Sequence, residues 1–86
     1  MHEMSLALEI CRIAEDRVGA AALGRVREVG VTIGRDSGVE PECLEFLLDV
    51  LLGDPPFRGA RVAMEVVPGE DLRVSYLEVE DGGPTD

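Results

Sequence analysis

Lysine and tryptophan are absent from this sequence of 86 residues, and only three aromatic residues occur. Without large rings, the core must be built from Leu, Val, Ile, Met and Ala. Hydrophobic residues still make up 45% of the chain, which is typical of a globular protein and argues against disorder. A chain of this length forms one small domain, whose core must be packed well or be helped by a metal, a disulfide or a partner.

Positive charge is also scarce. The chain carries 8 arginines against 18 acidic residues, which gives a net charge of −10. An acidic surface of this kind argues against nucleic acid and anionic membranes as partners. It suits a cation or a basic protein partner, and equally a small domain whose charge only keeps it soluble.

Long hydrophobic runs are missing as well. Charged residues occur throughout positions 2–16, so no hydrophobic segment of a signal peptide is visible there. No apolar run approaches the length needed to span a membrane. We therefore expect a cytoplasmic protein, in which free thiols are the usual state.

Residues that commonly perform chemistry are few. The two cysteines, Cys11 and Cys43, form no Cys-x-x-Cys pair, and we expect both to be buried as small hydrophobic side chains, with a disulfide or a shared metal site as the alternative. The single histidine excludes a zinc site with several histidines. No serine or cysteine has an evident base partner, so the sequence does not predict an enzyme.

Two helices are predicted from the spacing of apolar residues. In residues 4–22 a polar stripe lies opposite an apolar side, which indicates an amphipathic helix; the stripe consists of Ser5, Glu9, Arg12 and Asp16. Pro41 fits the first position of a second helix, which ends at 53–56. That helix has only three polar residues, Glu42, Glu45 and Asp49, so we expect it to be heavily buried.

Three strands are predicted from alternating apolar residues. The first carries Val29, Val31 and Ile33, and the second carries Val62, Met64 and Val66. The third begins at Leu72 and ends with Leu77 and Val79. Its alternation slips at Ser75 and Tyr76, which predicts a β-bulge.

These elements predict an α/β (α+β) fold in the order α-β-α-β-β. The first two strands should be parallel and the last two should form a hairpin, giving a three-stranded mixed sheet with both helices on one face. A single domain is expected over residues 1–80, followed by a flexible acidic tail at 81–86. If the uncovered face of the sheet exposes Val62, Met64 or Val66, a homodimer would cover them.

The first three residues offer a distinctive set of metal ligands. The α-amine of Met1, the backbone nitrogen and imidazole of His2, and the amide or carboxylate of Glu3 can close adjacent chelate rings around one cation. Amide and imidazole nitrogens in this arrangement suit square-planar nickel(II) or copper(II). The alternative is a solvated, frayed terminus without a metal.

Several segments, taken in order, resemble the HypA/HybF family of hydrogenase nickel-incorporation proteins: MHEMSLALEI, VTIG, SGVEPECLEFLLDV, GARVAMEVVPG and LRVSYLEVE. The resemblance implies that Met1, His2 and Glu3 carry nickel(II), with His2 as the principal ligand. It further implies delivery of nickel to the large subunit of nickel–iron hydrogenase with the help of a maturation GTPase. In some organisms the family also serves urease.

The chain departs from this family between its last two strands. Family members carry a zinc domain there with two Cys-x-x-Cys pairs, whereas here Pro68 and Gly69 run directly into Glu70 and Asp71. We therefore expect no zinc, and a short turn between strands that are already neighbours. The predicted function is that of a nickel(II)-binding accessory protein for hydrogenase maturation. The alternative is a metal-free interaction module that docks on the GTPase or a hydrogenase subunit, or self-associates.

Overall fold

Within residues 3–80, two α-helices and three β-strands follow one another in the predicted order α-β-α-β-β. The computed structural model describes residues 3–80, so Met1, His2 and the predicted tail at 81–86 lie outside the described residues. A short 3₁₀ helix at Ala20–Arg25 follows the first α-helix. The elements are α1 (Glu3–Val18), β1 (Val26–Gly34), α2 (Pro41–Leu52), β2 (Arg61–Val67) and β3 (Leu72–Val79).

The amphipathic character of α1 is confirmed. Its polar stripe is joined by ion pairs, since Arg12 contacts Glu9 and also lies 3.4 Å from Asp16. The opposite side buries Ala7, Ile10 and Ala14. The helix ends at Val18, earlier than predicted, because Gly19 adopts a φ of +88° that does not continue an α-helix. No helix in residues 3–80 combines the length and apolar character that a membrane span requires.

Helix α2 begins at Pro41 as predicted, but it is less buried than its composition suggests. Leu44, Leu48 and Leu52 are fully buried and form one stripe of the helix. Phe46 and Val50, however, are 66% and 47% exposed. The expectation that α2 is heavily buried is therefore wrong for the side of the helix that carries these two residues. With one sheet and one other helix to pack against, the fold covers only part of this helix.

The strands form a three-stranded mixed sheet in the order β2-β1-β3. β1 pairs in parallel with β2 and antiparallel with β3, which confirms the parallel pair. The predicted hairpin is wrong, because β2 and β3 lie on opposite sides of β1 and are not neighbours. Sequential strands usually pair with each other, but here β1 accepts one strand at each of its edges.

The segment 68–71 joins β2 to β3 by crossing the end of β1. Strands are about 4.8 Å apart, so four residues are long enough to reach from one edge to the other. The backbone N–H of Arg35 donates to the carbonyl of Val67 at 2.7 Å, and that of Asp36 donates to Gly69 at 2.8 Å. The crossing is therefore hydrogen-bonded to the residues that follow β1.

The predicted bulge in β3 is confirmed. Tyr76 pairs with Gly30 and Val74 pairs with Val31, so that Ser75 has no counterpart on β1. The apolar alternation of β3 slips by one residue at the bulge. Because the extra residue takes up this slip, the apolar side chains before and after the bulge all face the buried side of the sheet.

Both helices cover one face of the sheet. Val29, Val31 and Ile33 point to this face and are completely buried. Their partners on β2 are Val62, Met64 and Val66, which therefore lie on the same face, and the first two pack against the core. The condition on which a homodimer was expected, that the uncovered face exposes these residues, is therefore not met.

The uncovered face of the sheet is mostly polar. Directly opposed residues share a face, so this side carries the residues that pair with one another as Glu28 with Arg61, Thr32 with Glu65, Thr32 with Arg73, and Gly30 with Tyr76. The three apolar side chains that were the reason to expect a homodimer therefore do not lie on this face of the described chain.

Candidate metal centre

Of the three predicted nickel ligands, only Glu3 belongs to the described residues. It is the first residue of α1 and its side chain is half-buried. Its carboxylate oxygen Oε2 accepts a hydrogen bond from the backbone N–H of Glu40, at 3.1 Å. This contact joins two positions that are 37 residues apart, so it fixes the start of α1 against the segment that leads into α2.

Glu40 occupies the N-cap position of α2. Its backbone is extended, with φ −86° and ψ 109°, and its own side chain makes no capping hydrogen bond. The carboxylate of Glu3 accepts from the N-cap N–H, as the glutamate of a capping box does, although here the glutamate comes from another helix. The negative charge of Glu3 also lies near the positive end of α2, which favours the contact.

The loop before α2 brings Glu40 to this position. The backbone N–H of Val39 donates to the hydroxyl of Ser37 at 3.3 Å. Gly38 adopts a φ of +83°, a conformation that side chains disfavour. The SGVEPE segment thus makes a turn that presents the Glu40 N–H to Glu3.

Negative charge dominates this end of the molecule. Glu3, Glu40 and Glu42 all lie at the start of α1 or α2, and Glu40 and Glu42 are exposed. Such a local field attracts cations. Within residues 3–80, however, no three His, Cys, Asp or Glu side chains are grouped closely enough to hold a metal ion. The ligand set of Met1, His2 and Glu3 stays a prediction, because two of its members lie outside that range.

The cysteines do not offer a zinc site. Both are free; Cys11 is half-buried in α1 and Cys43 is exposed on α2. Burial raises the pKa of the Cys11 thiol, which disfavours the thiolate that binds metal. The expectation that both cysteines are buried is wrong for Cys43, since the side of α2 that carries it faces away from the core.

Sequence reasoning identified Glu3 but not its partner. The contact with Glu40 depends on the packing of α1 beside α2, which no local pattern specifies. The signal that was available is the segment SGVEPE, in which a serine, a glycine and a proline mark a turn before a helix. Their positions indicate a structured helix start without indicating which distant residue meets it.

Comparison with known proteins identifies the family of this chain. Residues 1–78 match the family model described as hydrogenase/urease nickel incorporation, metallochaperone, hypA. The match covers most of the chain, so the protein belongs to the HypA family of nickel-incorporation metallochaperones.

Relatives of this chain carry the name hydrogenase maturation factor HypA. The protein of an Azoarcus species is 48% identical over 69 residues, which cover 80% of this chain and 60% of the relative. That of Methanothermobacter thermautotrophicus is 43% identical, over 81% of this chain and 57% of the relative. That of Syntrophus aciditrophicus is 35% identical, over 91% and 75%. This chain thus spans between 57% and 75% of the length of these relatives.

Proposed function

We propose that this protein binds nickel(II) as cargo and serves as an accessory factor in the maturation of nickel–iron hydrogenase. The metal is held at Met1, His2 and Glu3, with the His2 imidazole as the principal ligand. The observation that supports the proposal most directly is the family match, which includes these three residues. Nickel(II) is the substrate of such a protein, received at the terminus and then passed to a recipient.

The contact between Glu3 and Glu40 supports a role for the terminus in metal handling. Because the Glu40 N–H holds one carboxylate oxygen of Glu3, the first turn of α1 starts from a fixed point on the acidic end of the protein. His2 directly precedes Glu3 in the sequence. A short, anchored ligand set loses less conformational entropy on binding than a free tail does.

A titration with nickel(II) followed by calorimetry and absorption tests this proposal. We expect one-to-one binding with the absorption of a square-planar complex. His2→Ala should weaken binding by more than about 100-fold, since changes in outer residues alone cost 10–100-fold in metal affinity. A chain extended by two residues ahead of Met1 is the matched control for the α-amine. Binding that is insensitive to both changes would contradict the proposal.

Delivery should involve the maturation GTPase and the hydrogenase large subunit as partners. An observation on α2 favours a docking role: Phe46 and Val50, four residues apart on one side of the helix, are the exposed apolar residues of that side. Exposed aromatic side chains often form the centre of protein interfaces. The same observation supports the second candidate function, a module that binds these partners without carrying metal.

The two functions are distinguished by comparing His2→Ala with Phe46→Ala in a host whose nickel–iron hydrogenase requires this protein. If the protein carries nickel, His2→Ala should abolish hydrogenase activity while partner binding is retained. If it acts only by docking, His2→Ala should leave the activity unchanged and Phe46→Ala should reduce it. If Phe46→Ala reduces hydrogenase activity and His2→Ala leaves it unchanged, the nickel proposal is contradicted.

A further inference from the structure

A cleft with a cationic lining lies at the end of the sheet opposite to Glu3. It is formed where β1 and β2 begin and where the chain leaves β3, and its volume is about 360 Å³. β1 separates it from the acidic end by roughly 25 Å, the length of a nine-residue strand. We call it the arginine cleft; the residues that matter are Gly24, Arg27, Arg58, Gly59, Arg61 and Glu80.

The charge of the arginine cleft is opposite to that of the whole chain. Three arginines and one glutamate give the lining a formal charge of +2, whereas the chain carries −10. The cleft also contains three of only eight arginines, drawn from two separate segments of the sequence, one with Arg27 and one with Arg58 and Arg61. The fold therefore concentrates its scarce positive charge at one place.

The arginines of the cleft are poorly paired with carboxylates. Arg27 lies 3.9 Å from Glu80, and Arg61 lies 3.5 Å from Glu28, so neither contact is a close hydrogen bond. Arg58 makes no hydrogen bond or ion pair with any of residues 3–80. By contrast, Arg73 lies 3.0 Å from Asp71. Most guanidinium donors of the cleft thus remain available to a ligand, in a chain with more than twice as many acids as arginines.

Two glycines shape the cleft. A Cβ atom at Gly24 would lie 3.2 Å from Cδ of Arg58, so the absence of a side chain lets Arg58 lie close to the backbone. Gly59 adopts a φ of +81°, which turns the chain between Arg58 and Arg61. Both arginines can therefore border the same space.

We propose that the arginine cleft binds a phosphate group of a small molecule. Guanidinium groups match the geometry of phosphate oxygens and form strong, charge-assisted hydrogen bonds with them. The volume lies within the range of small-molecule sites. A compact dianion matches the local charge of +2, whereas an extended acidic peptide would also meet the negative charge of the surrounding surface. The site is separate from the proposed nickel site.

Calorimetric titration of the full chain tests this site, with inorganic pyrophosphate, adenosine diphosphate and an oligoglutamate peptide as probes. We expect saturable one-to-one binding of pyrophosphate that weakens as salt is added. Equal affinities for the two diphosphates would identify the phosphate as the recognised group, and tighter binding of the nucleotide would identify a nucleotide as the source. Binding of the peptide without binding of pyrophosphate would overturn the proposal.

Variants of single arginines show whether the cleft is responsible. Arg58→Gln and Arg27→Gln should each weaken pyrophosphate binding about tenfold or more, because each removes charge-assisted hydrogen bonds. Arg35→Gln is the matched control, since Arg35 is exposed, its guanidinium makes no hydrogen bond or ion pair within residues 3–80, and it is located beyond the other end of β1. Equal weakening in Arg35→Gln, or no saturable binding to the unmodified chain, would overturn the proposal. Nickel binding should be unchanged in all three variants, so failure of this site and failure of the nickel site are distinguishable.

Discussion

The two faces of β1 are both buried, but different groups bury them. On the face toward the helices, Val29, Val31 and Ile33 are covered by apolar side chains of α1 and α2. On the opposite face no helix of residues 3–80 is present, yet Gly30 and Gly34 are also buried. The first face is buried by large apolar side chains that pack against it. The second face is buried because its glycines have no side chain, so that neighbouring groups can approach the backbone closely.

The groups that close the second face are specific. The ring of Tyr76 lies over Gly30, so that a Cβ atom there would lie 2.7 Å from Cζ of the ring. The segment 68–71 lies over Gly34, where a Cβ atom would lie 2.6 Å from the backbone nitrogen of Asp71. We therefore expect stability to fall when side-chain atoms are removed from the helix face, and when side-chain atoms are added to the opposite face.

The largest effect is expected from a truncation on the helix face. Ile33→Ala should lower the free energy of unfolding by about 2–5 kcal/mol, because it leaves a cavity beneath the helices. Urea denaturation followed by circular dichroism measures this loss. Leu8→Ala on the exposed side of α1, where the side chain is 53% exposed, is the control and should change stability by less than about 0.5 kcal/mol. Similar losses in both variants would contradict the assignment of the core face.

An addition on the opposite face should have the next largest effect. Gly34→Ala should lower the free energy of unfolding by about 1–3 kcal/mol, because the new methyl group meets backbone that cannot move without breaking the crossing. Gly30→Ala is the matched comparison, and it should cost less because the exposed ring of Tyr76 can move aside. Thermal unfolding of both variants provides the test, and a larger loss in Gly30→Ala would contradict it.

The elements could be predicted from the sequence because each leaves a local signal. Alternation predicted β3 with the observed bounds, and Pro41 predicted the start of α2. The strand order leaves no such local signal. It depends on which strand takes the central position, and that strand must tolerate burial on both of its faces. Gly30, Thr32 and Gly34 were the available sign that β1 is central, because small residues between apolar ones permit close approach from the second side.

The candidate sites differ in how far the sequence predicts them. Met1, His2 and Glu3 are adjacent, so their shared chemistry is visible without a fold. The contact of Glu3 with Glu40 and the arginine cleft both join distant segments, and they arise only once β1 sets which ends of the elements lie together. Long-range contacts of this kind leave no periodic signal.

Removal of a buried polar atom on the uncovered face should increase stability. Thr32 is 2% exposed, and its hydroxyl oxygen has no hydrogen-bond partner within residues 3–80. A buried, unpaired hydroxyl is unfavourable, and Thr32→Val removes it with little change of shape. We expect the free energy of unfolding to rise by about 1 kcal/mol, measured by urea denaturation. Thr32→Ser, which keeps the hydroxyl and removes the methyl group, should lower it; a gain there would contradict this explanation.

The smallest expected effect is on the pKa of Tyr76. Its hydroxyl donates a hydrogen bond to Glu28 on the neighbouring strand, on the uncovered face of the sheet. This hydrogen bond, followed by desolvation and the negative charge of Glu28, raises the pKa of the Tyr76 phenol. Tyr76 is the only tyrosine and the chain has no tryptophan, so the ultraviolet absorbance of the phenolate reports this residue alone.

We expect the phenol to ionise at lower pH in Glu28→Gln than in the unmodified chain, because a neutral amide replaces the carboxylate that accepts this hydrogen bond and whose charge favours the protonated phenol. The pKa in the folded protein is higher than in the unfolded chain, where it is about 10. The hydrogen bond therefore contributes fully to stability below that pH, and the contribution is lost as the pH rises through the folded pKa. Glu78→Gln, which alters a weaker contribution to the same pKa, is the control. Equal shifts in both variants would show that general surface charge, and not the contact with the Glu28 carboxylate across the strands, sets the pKa of Tyr76.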